Sequence, residues 1–357
     1  MQPFSYTAHP ARIVFGAGAL AELGAEVERL GARRALVLST PEQAGAAERV
    51  AAMLGERAAG VFPRAVMHVP VETARAARDE AARLGADCAV AIGGGSTTGL
   101  GKAIALESAL PIVAVPTTYA GSEVTPIWGL TEGGVKKTGR DPRVLPRTVI
   151  YDPELTLTLP PGLTVTSGLN AIAHAAEGLY AHDGNPITAL MAEEGVRALA
   201  AALPRLAEAP QDLDARGEAL YGAWLCGSVL GAVAMGLHHK LCHTLGGSFE
   251  LPHAEVHTVV LPHAMAYNAQ QAPQAMARLA RALGAAQADD APRALFDLAA
   301  RLGVPTSLAA IGMPAAGLDR AAELATTTPY PNPRPLERAA LRALLQRAYE
   351  GRPPAEA

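Results

Sequence analysis

Cysteine is scarce in this chain. Cys88, Cys226 and Cys242 are the three present. Their number is odd and no two form a metal-type pair, which argues against a disulfide framework or a cysteine zinc site and fits a reducing cytoplasm. Long basic blocks are lacking too. Thirty Lys and Arg face 34 Asp and Glu, for a net charge of −4, and no Lys/Arg run is long enough to track a phosphate backbone, which argues against nucleic-acid binding. The start, Met1-Gln2-Pro3-Phe4-Ser5-Tyr6, has neither the basic nor the apolar region of a signal peptide. No apolar run reaches membrane-spanning length. Leu225 to Leu237 is apolar, but it is short and glycine-rich and reads as a buried helix.

What is present is apolar bulk and two kinds of pattern. Half of the 357 residues are hydrophobic, enough for two packed domains. Over the first 150 residues, short β runs alternate with helical ones. Strands are expected at 35–39, 66–69, 88–92, 112–115 and 148–151. Helices are expected at 41–54, 71–84 and about 97–106. Apolar strands separated by helices imply a parallel sheet covered on both faces. After Asp152-Pro153-Glu154-Leu155 the strand-like runs end. Helical patterns then fill 165–180, 186–202, 213–235, 237–246 and 257–269, continuing to Tyr349. The reading is a dinucleotide-type α/β domain over residues 1–155 and an all-helical domain over 156–357, with the active site expected in the cleft between them. The tail from Arg352 is expected to be loose.

Two loops follow strands. Gly93-Gly94-Gly95-Ser96 opens a helix, so backbone N–H groups and the helix N-terminus can approach a pyrophosphate. An ordinary glycine turn has the same composition, and the spacing is not the common G-x-G-x-x-G. Lys102 lies further along that helix, either near the anion or solvated. Pro116-Thr117-Thr118-Tyr119-Ala120-Gly121-Ser122 ends another strand, where such sheets bind ligands, and its hydroxyls suit ribose or phosphate. Ser39-Thr40-Pro41 stands where a dinucleotide site often puts a carboxylate on the ribose 2′-hydroxyl. The lack of one predicts acceptance of NADPH beside NADH.

The histidines are the strongest signal. His238, His239, His243 and His253 fall within 16 residues. His239 and His243 share one helix face, as do Asn170 and His174. Crowded imidazoles need partners or water and suit proton handling, metal binding or an anionic substrate. Asn170, His174, His239 and His253 form a set of four in which an amide replaces the carboxylate a divalent metal would favour. Each histidine taken alone is equally compatible with a satisfied structural role. Cys242, among them, is read as a small buried hydrophobe, with a reactive thiol as the alternative.

Taken together, Phe15-Gly16-Ala17-Gly18, the glycine turn, Pro116-Thr117-Thr118, Asp152-Pro153-Glu154-Leu155 and the histidine cluster resemble the iron-containing alcohol dehydrogenase superfamily over nearly the whole chain. Three departures stand out. Asn170 and Gly99 occupy positions where the family usually has aspartate, and the Thr-rich loop before Pro126-Ile127-Trp128-Gly129 is one residue short. All three, with His238-His239-Lys240-Leu241-Cys242-His243, resemble one branch, the maleylacetate reductases of bacterial aromatic catabolism.

That resemblance implies reduction of the carbon–carbon double bond of maleylacetate, or of chlorinated analogues, to a 3-oxoadipate by NADH or NADPH, in a cytoplasmic homodimer that needs no metal. Ser39, Gly93, Gly94, Gly95, Ser96, Thr117, Thr118, Ser122 and Leu155 would hold the cofactor. His243 would take part in proton transfer, with His174, His239 and His253 lining a cationic pocket for the dicarboxylate. Asn170, His238, Lys240 and Tyr119 would contact substrate. Lys136, Lys137 and Arg140, in a mobile-looking segment, would meet a carboxylate or solvent. The apolar, β-like stretch from Ala11 to Phe15 favours a dimer. Two rival readings remain: a metal-dependent alcohol dehydrogenase on the same fold, and a non-catalytic dinucleotide-binding protein.

Overall fold

A computed structural model describes residues 4–9, 11–133 and 135–355. Met1, Gln2 and Pro3 of the start, and Glu356 and Ala357 of the tail, lie outside the described residues. The chain divides into two compact units, one over Ala8–Leu159 and one over Pro160–Ala357 joined by the residues before Ala8. The break lies at Leu159, slightly beyond the Leu155 expected from sequence.

The first unit holds eight strands: β1 (Arg12–Phe15), β2 (Ala35–Leu38), β3 (Ala58–Phe62), β4 (Cys88–Gly93), β5 (Ile112–Pro116), β6 (Ile127–Glu132), β7 (Val135–Arg140) and β8 (Thr148–Tyr151). Six form one sheet in the order β1-β8-β5-β4-β2-β3, and every pair is parallel. Helices α1 (Leu23–Arg29), α2 (Ala44–Leu54), α3 (Val71–Arg83) and α4 (Gly95–Ser108) cover it. Side chains alternate across a strand, so each strand feeds two cores. Ala35, Val37, Val90 and Ile92 pack with Leu23, Val27, Ala47 and Val50 of α1 and α2. Leu36, Leu38 and Ala89 pack with Ala74, Ala77, Leu100 and Ile104 of α3 and α4. Burial on both faces explains why the strands read as continuous apolar runs.

Three expectations need correction here. The third strand is Ala58–Phe62, not 66–69. His68 and Val69 instead have φ of 65° and 45°, a left-handed turn on which Thr131 docks through its N–H to Val69 O and its hydroxyl to His68 O. The segment bearing Lys137 and Arg140 is an antiparallel hairpin of β6 and β7, and Lys137 Nζ donates to Glu132 at 2.8 Å. The side chain of Lys136 lies outside the described residues. The stretch 225–237 is not one helix, because the chain breaks between Ala232 and Leu237.

The second unit comprises α5 (Pro161–Gly178), α6 (Pro186–Glu208), α7 (Leu213–Ala232), α8 (Leu237–Phe249), α9 (His253–Asn268), α10 (Pro273–Leu283), α11 (Ala291–Arg301), α12 (Leu318–Thr327) and α13 (Arg338–Glu350). Every residue of α5 from Thr164 to Gly178 is buried, with α6, α7 and α9 packed around it. Gly195 and Gly222 let α6 and α7 approach closely. A Cβ on Gly195 would lie 2.7 Å from Cys226 Sγ, and one on Gly222 would lie 2.9 Å from Gly195 O. The tail is held at its start, where Arg352 N–H donates to Arg347 O and its guanidinium pairs with Glu350. No single helix among the described residues is long and apolar enough to cross a membrane. The α7–α8 pair passes that test only jointly and is bent by 95°.

Candidate active site

Adjacent strands bring three loops of the α/β unit together at their carboxyl ends. Thr117 N–H donates to Gly93 O at 3.0 Å, and Gln43 Nε2 donates to Thr117 Oγ1 at 3.0 Å. Gly93 has φ +150°, and a Cβ there would lie 2.4 Å from Thr97 Oγ1 and 2.8 Å from Gln43 Oε1. Only glycine fits that turn. The N-terminus of α4 follows at once with no side-chain cap, so its first N–H groups are available to an anion. Gly94, Gly95, Ser96, Thr118 and Ser122 keep partial exposure around it. Gly99 is crowded: a Cβ would meet Val69 Cγ2 at 2.9 Å.

Other residues expected at the cofactor or substrate sit deeper. Ser39 is fully buried, and its hydroxyl donates to Thr40 O at 3.0 Å. Tyr119 is also fully buried, so as folded it presents no surface to a substrate. Leu155 packs against the core beneath β8. Asp152 caps backbone, accepting from Gly18, Leu20 and Glu154 N–H, which gives the Asp-Pro-Glu-Leu motif a local structural role. Lys102 is neither solvated nor at the glycine turn. It is 1 % exposed and points at the loop after β5.

The helical unit gathers the histidines from three helices. Asn170, His174 and Glu177 share one face of α5, His238, His239, Cys242 and His243 come from α8, and His253 and His257 from α9. Ring centroids lie 5.2 Å apart for His174–His239, 5.1 Å for His239–His257, 4.9 Å for His238–His257 and 4.3 Å for His253–His257. His243 lies 6.3 Å from His239. His174, His238, His239 and His257 are buried, while His243 and His253 are exposed. His238 Nε2 lies 3.2 Å from His257 O and 3.4 Å from Cys242 Sγ, which directs it into the core. Lys240 lies over the Tyr330 ring at 5.9 Å.

Glu177 organises this cluster. Fully buried, it accepts the N–H of His238 at 2.7 Å and of His239 at 3.2 Å, so its charge meets the N-terminus of α8. Its Oε2 also lies 2.5 Å from His239 Nδ1. Burial, and then the neighbouring His243, pushes His239 down to about 3. A neutral ring therefore donates Nδ1–H to the carboxylate and keeps its lone pair on Nε2. Burial and the other imidazoles likewise lower His174 and His257 well below the ordinary histidine range, and burial first of all takes His238 down to about 4. The four buried rings are thus neutral at pH 7. For these four rings that runs against the expectation of a cationic pocket: crowded, buried imidazoles suppress one another's charge. The Cys242 thiol is raised well above its usual range by burial, in line with a buried hydrophobe.

Among the described residues, Asn170 Oδ1, His174 Nδ1, His239 Nε2 and both nitrogens of His257 have no hydrogen-bond partner, and all are buried. One nitrogen each from His174, His239 and His257 lies within 4.8 Å of the others. Three convergent neutral imidazoles fit a divalent ion, with Glu177 as the outer carboxylate such ligands commonly have. His257 stands in that trio, and His253, expected there from sequence, lies against it with ring centroids 4.3 Å apart. Sequence reading overlooked His257 and Glu177. The His253–His257 spacing of four repeats that of His239–His243 and was the available signal for the first. Glu177 had the weaker hint of lying one turn beyond His174.

Two family models match the chain, iron-containing alcohol dehydrogenase over residues 10–153 and the C-terminal domain of the Fe-containing alcohol dehydrogenase family over residues 164–349. A maleylacetate reductase from Burkholderia cepacia is 70% identical over 351 residues, covering 98% of this chain and 99% of that one. The crystal structure of maleylacetate reductase from Rhizobium sp. strain MTP-10005 superposes with a TM-score of 0.95 at 60% identity, over 99% of this chain and 100% of that one. A putative alcohol dehydrogenase from Ralstonia eutropha JMP134 superposes with a TM-score of 0.98 at 67% identity, over 99% of this chain and 100% of the other. This chain therefore belongs to the iron-containing alcohol dehydrogenase family, in the branch of the maleylacetate reductases.

Proposed function

We propose that the chain reduces maleylacetate to 3-oxoadipate with a nicotinamide cofactor, in the bacterial degradation of aromatic compounds. Likeness to maleylacetate reductases along nearly the whole length carries this reading. The glycine turn, Thr117, Thr118, Ser122 and the N-terminus of α4 are assigned to the cofactor, and the histidine cluster to the substrate. The test is oxidation of NADH on adding maleylacetate, with 2-chloromaleylacetate as a companion. An enzyme that binds NADH but oxidises it only with simple aldehydes would defeat the reading.

The double bond of maleylacetate is conjugated to a ketone. Hydride adds at the carbon β to that ketone, and the electron pair moves into an enolate. One proton then goes to the adjacent carbon, so substrate, NAD(P)H and H⁺ give 3-oxoadipate and NAD(P)⁺. Charge spread over an enolate is easier to hold than an alkoxide, and imidazole N–H groups can stabilise it. His243, exposed at the edge of the cluster, is assigned the proton transfer. A divalent metal held by His174, His239 and His257 would polarise a carbonyl, but we assign the turnover no requirement for one. Activity should survive dialysis against a chelator. Stoichiometric iron or zinc together with chelator-sensitive turnover would favour the metal-dependent dehydrogenase instead.

The end of β2 bears Ser39 and Thr40 rather than a carboxylate. NADPH should therefore be accepted, with kcat/KM within about tenfold of that for NADH. Strict exclusion of NADPH in steady-state kinetics would remove this inference. We also propose a cytoplasmic homodimer. β1 stands at the end of the strand order, and an edge strand is a natural site for pairing with a second copy. Sedimentation of the intact enzyme tests the oligomer.

A further inference from the structure

The Lys102 side chain is a charged group that this assignment leaves unused. Its Nζ lies within hydrogen-bond distance of four oxygens of one irregular stretch: Ser122 O at 2.6 Å, Thr125 O at 2.8 Å, Thr125 Oγ1 at 2.9 Å and Ile127 O at 2.8 Å. An ammonium has three protons and no acceptor, so four oxygens around it resemble the surroundings of a bound monovalent cation. The stretch needs such a partner. Ser122 O already accepts from Thr125 N–H, and Ile127 opens β6 opposite Arg140; Lys102 adds one donor common to Ser122 O and to the carbonyls of Thr125 and Ile127, and a buried carbonyl left short of donors is costly.

The contact ties together elements that carry the cofactor loops. Lys102 belongs to α4, the helix opened by the glycine turn at the end of β4. The stretch it grips continues the hydroxyl loop that follows β5. Between them Glu123 is fully buried, and Tyr151, the last residue of β8, donates its hydroxyl to Glu123 Oε1 at 2.9 Å. Three neighbouring strand ends are thereby linked around one ammonium. Burial pushes that ammonium down to about 7, with Glu123 pulling the other way, so burial penalises the charged form that the four oxygens favour. A methionine would fill similar volume without that cost. What methionine cannot do is hold four oxygens in a fixed place.

We propose that Lys102 is a positioning residue of the cofactor site, a tethered internal cation that sets the spacing between the glycine turn and the Ser122 loop. This rests on the assignment of those loops to the cofactor. Its action is on affinity for the nicotinamide cofactor, not on the proton or hydride step.

The test is direct titration of the intact enzyme with NADH, followed by fluorescence and without substrate. Lys102→Met should raise Kd by about tenfold or more, while kcat at saturating NADH and KM for maleylacetate change by less than about threefold. Thr125→Val removes one of the four oxygens with little change in shape and should raise Kd by about threefold. Lys102→Ala should regain affinity in methylammonium chloride but not in tetramethylammonium chloride at equal ionic strength, a rescue that a purely packing role would not show. Should Lys102→Met fail to fold, Thr125→Val decides alone. Unchanged affinity in the folded variants, with normal binding by the parent enzyme, overturns the proposal. No NADH binding by the parent overturns the cofactor assignment and this inference with it.

Discussion

Replacing His243 with alanine is expected to lower kcat for maleylacetate reduction by about 10²–10⁴-fold, the usual worth of a positioned proton-transfer group. The charge state of its neighbours leaves this role to His243. His174, His238, His239 and His257 are buried and pushed down, so they carry no spare proton at pH 7. A donor must come from the rim of the cluster. His243 is exposed and sits one turn beyond His239 on α8, where solvent can return its proton after each turnover. Affinity for NADH should be unaffected by the change. A variant with wild-type kcat excludes His243 from the chemistry, and a rise in KM alone would make it a binding residue. The other exposed imidazole, His253 on α9, lies 4.3 Å from His257 with its ring tilted against it, and the same substitution there shows whether the effect belongs to His243 or to any ring on the rim.

The second large effect concerns stability. Glu177→Ala should cost about 3 kcal/mol or more in urea unfolding, because four donors lose one buried carboxylate, each such bond being worth about 1.5–3 kcal/mol. Two are N–H groups in the first turn of α8, the third is the His239 ring and the fourth the Tyr180 hydroxyl. The loss falls short of the full sum because Glu177 also borders a cavity of about 600 Å³, with Tyr180, Gly236 and Asn332 among its lining, from which water can reach the orphaned groups. Glu177→Gln keeps an acceptor oxygen and should lose much less stability. It also removes the carboxylate that fixes the His239 tautomer, so its kcat should fall more than its stability does. Equal stability of Glu177→Ala and the parent would show that the four bonds are replaced by water at no cost.

These two residues differ in how visible they were in sequence. His243 stands in a dense run of histidines, and crowding of one residue type needs no folding to be noticed. Glu177 is separated from His239 by 62 positions, and nothing local marks it. The strand ends were similarly legible. Unbroken apolar runs at 35–39, 88–92 and 112–115 correspond to β2, β4 and β5, and the loops after them lie side by side because those strands are neighbours in the sheet. The run at 66–69 misled, since apolar composition alone does not separate a strand from a left-handed turn. The β6–β7 hairpin was missed because its charged residues lack an apolar alternation.

The sequence by itself determined a parallel α/β unit followed by helices, ligand loops at strand ends, and a histidine set with an amide where a carboxylate would favour metal. Period, glycine placement and residue identity are local properties, and they carry that much. Only the tertiary structure decided which atoms meet: His257 in the trio with His174 and His239, Glu177 on the far nitrogen of His239, and Lys102 on the loop after β5. It also decided charge. Imidazoles that look cationic as a string lose their charge once four of them are buried together, because burial and mutual repulsion act through space and not along the chain.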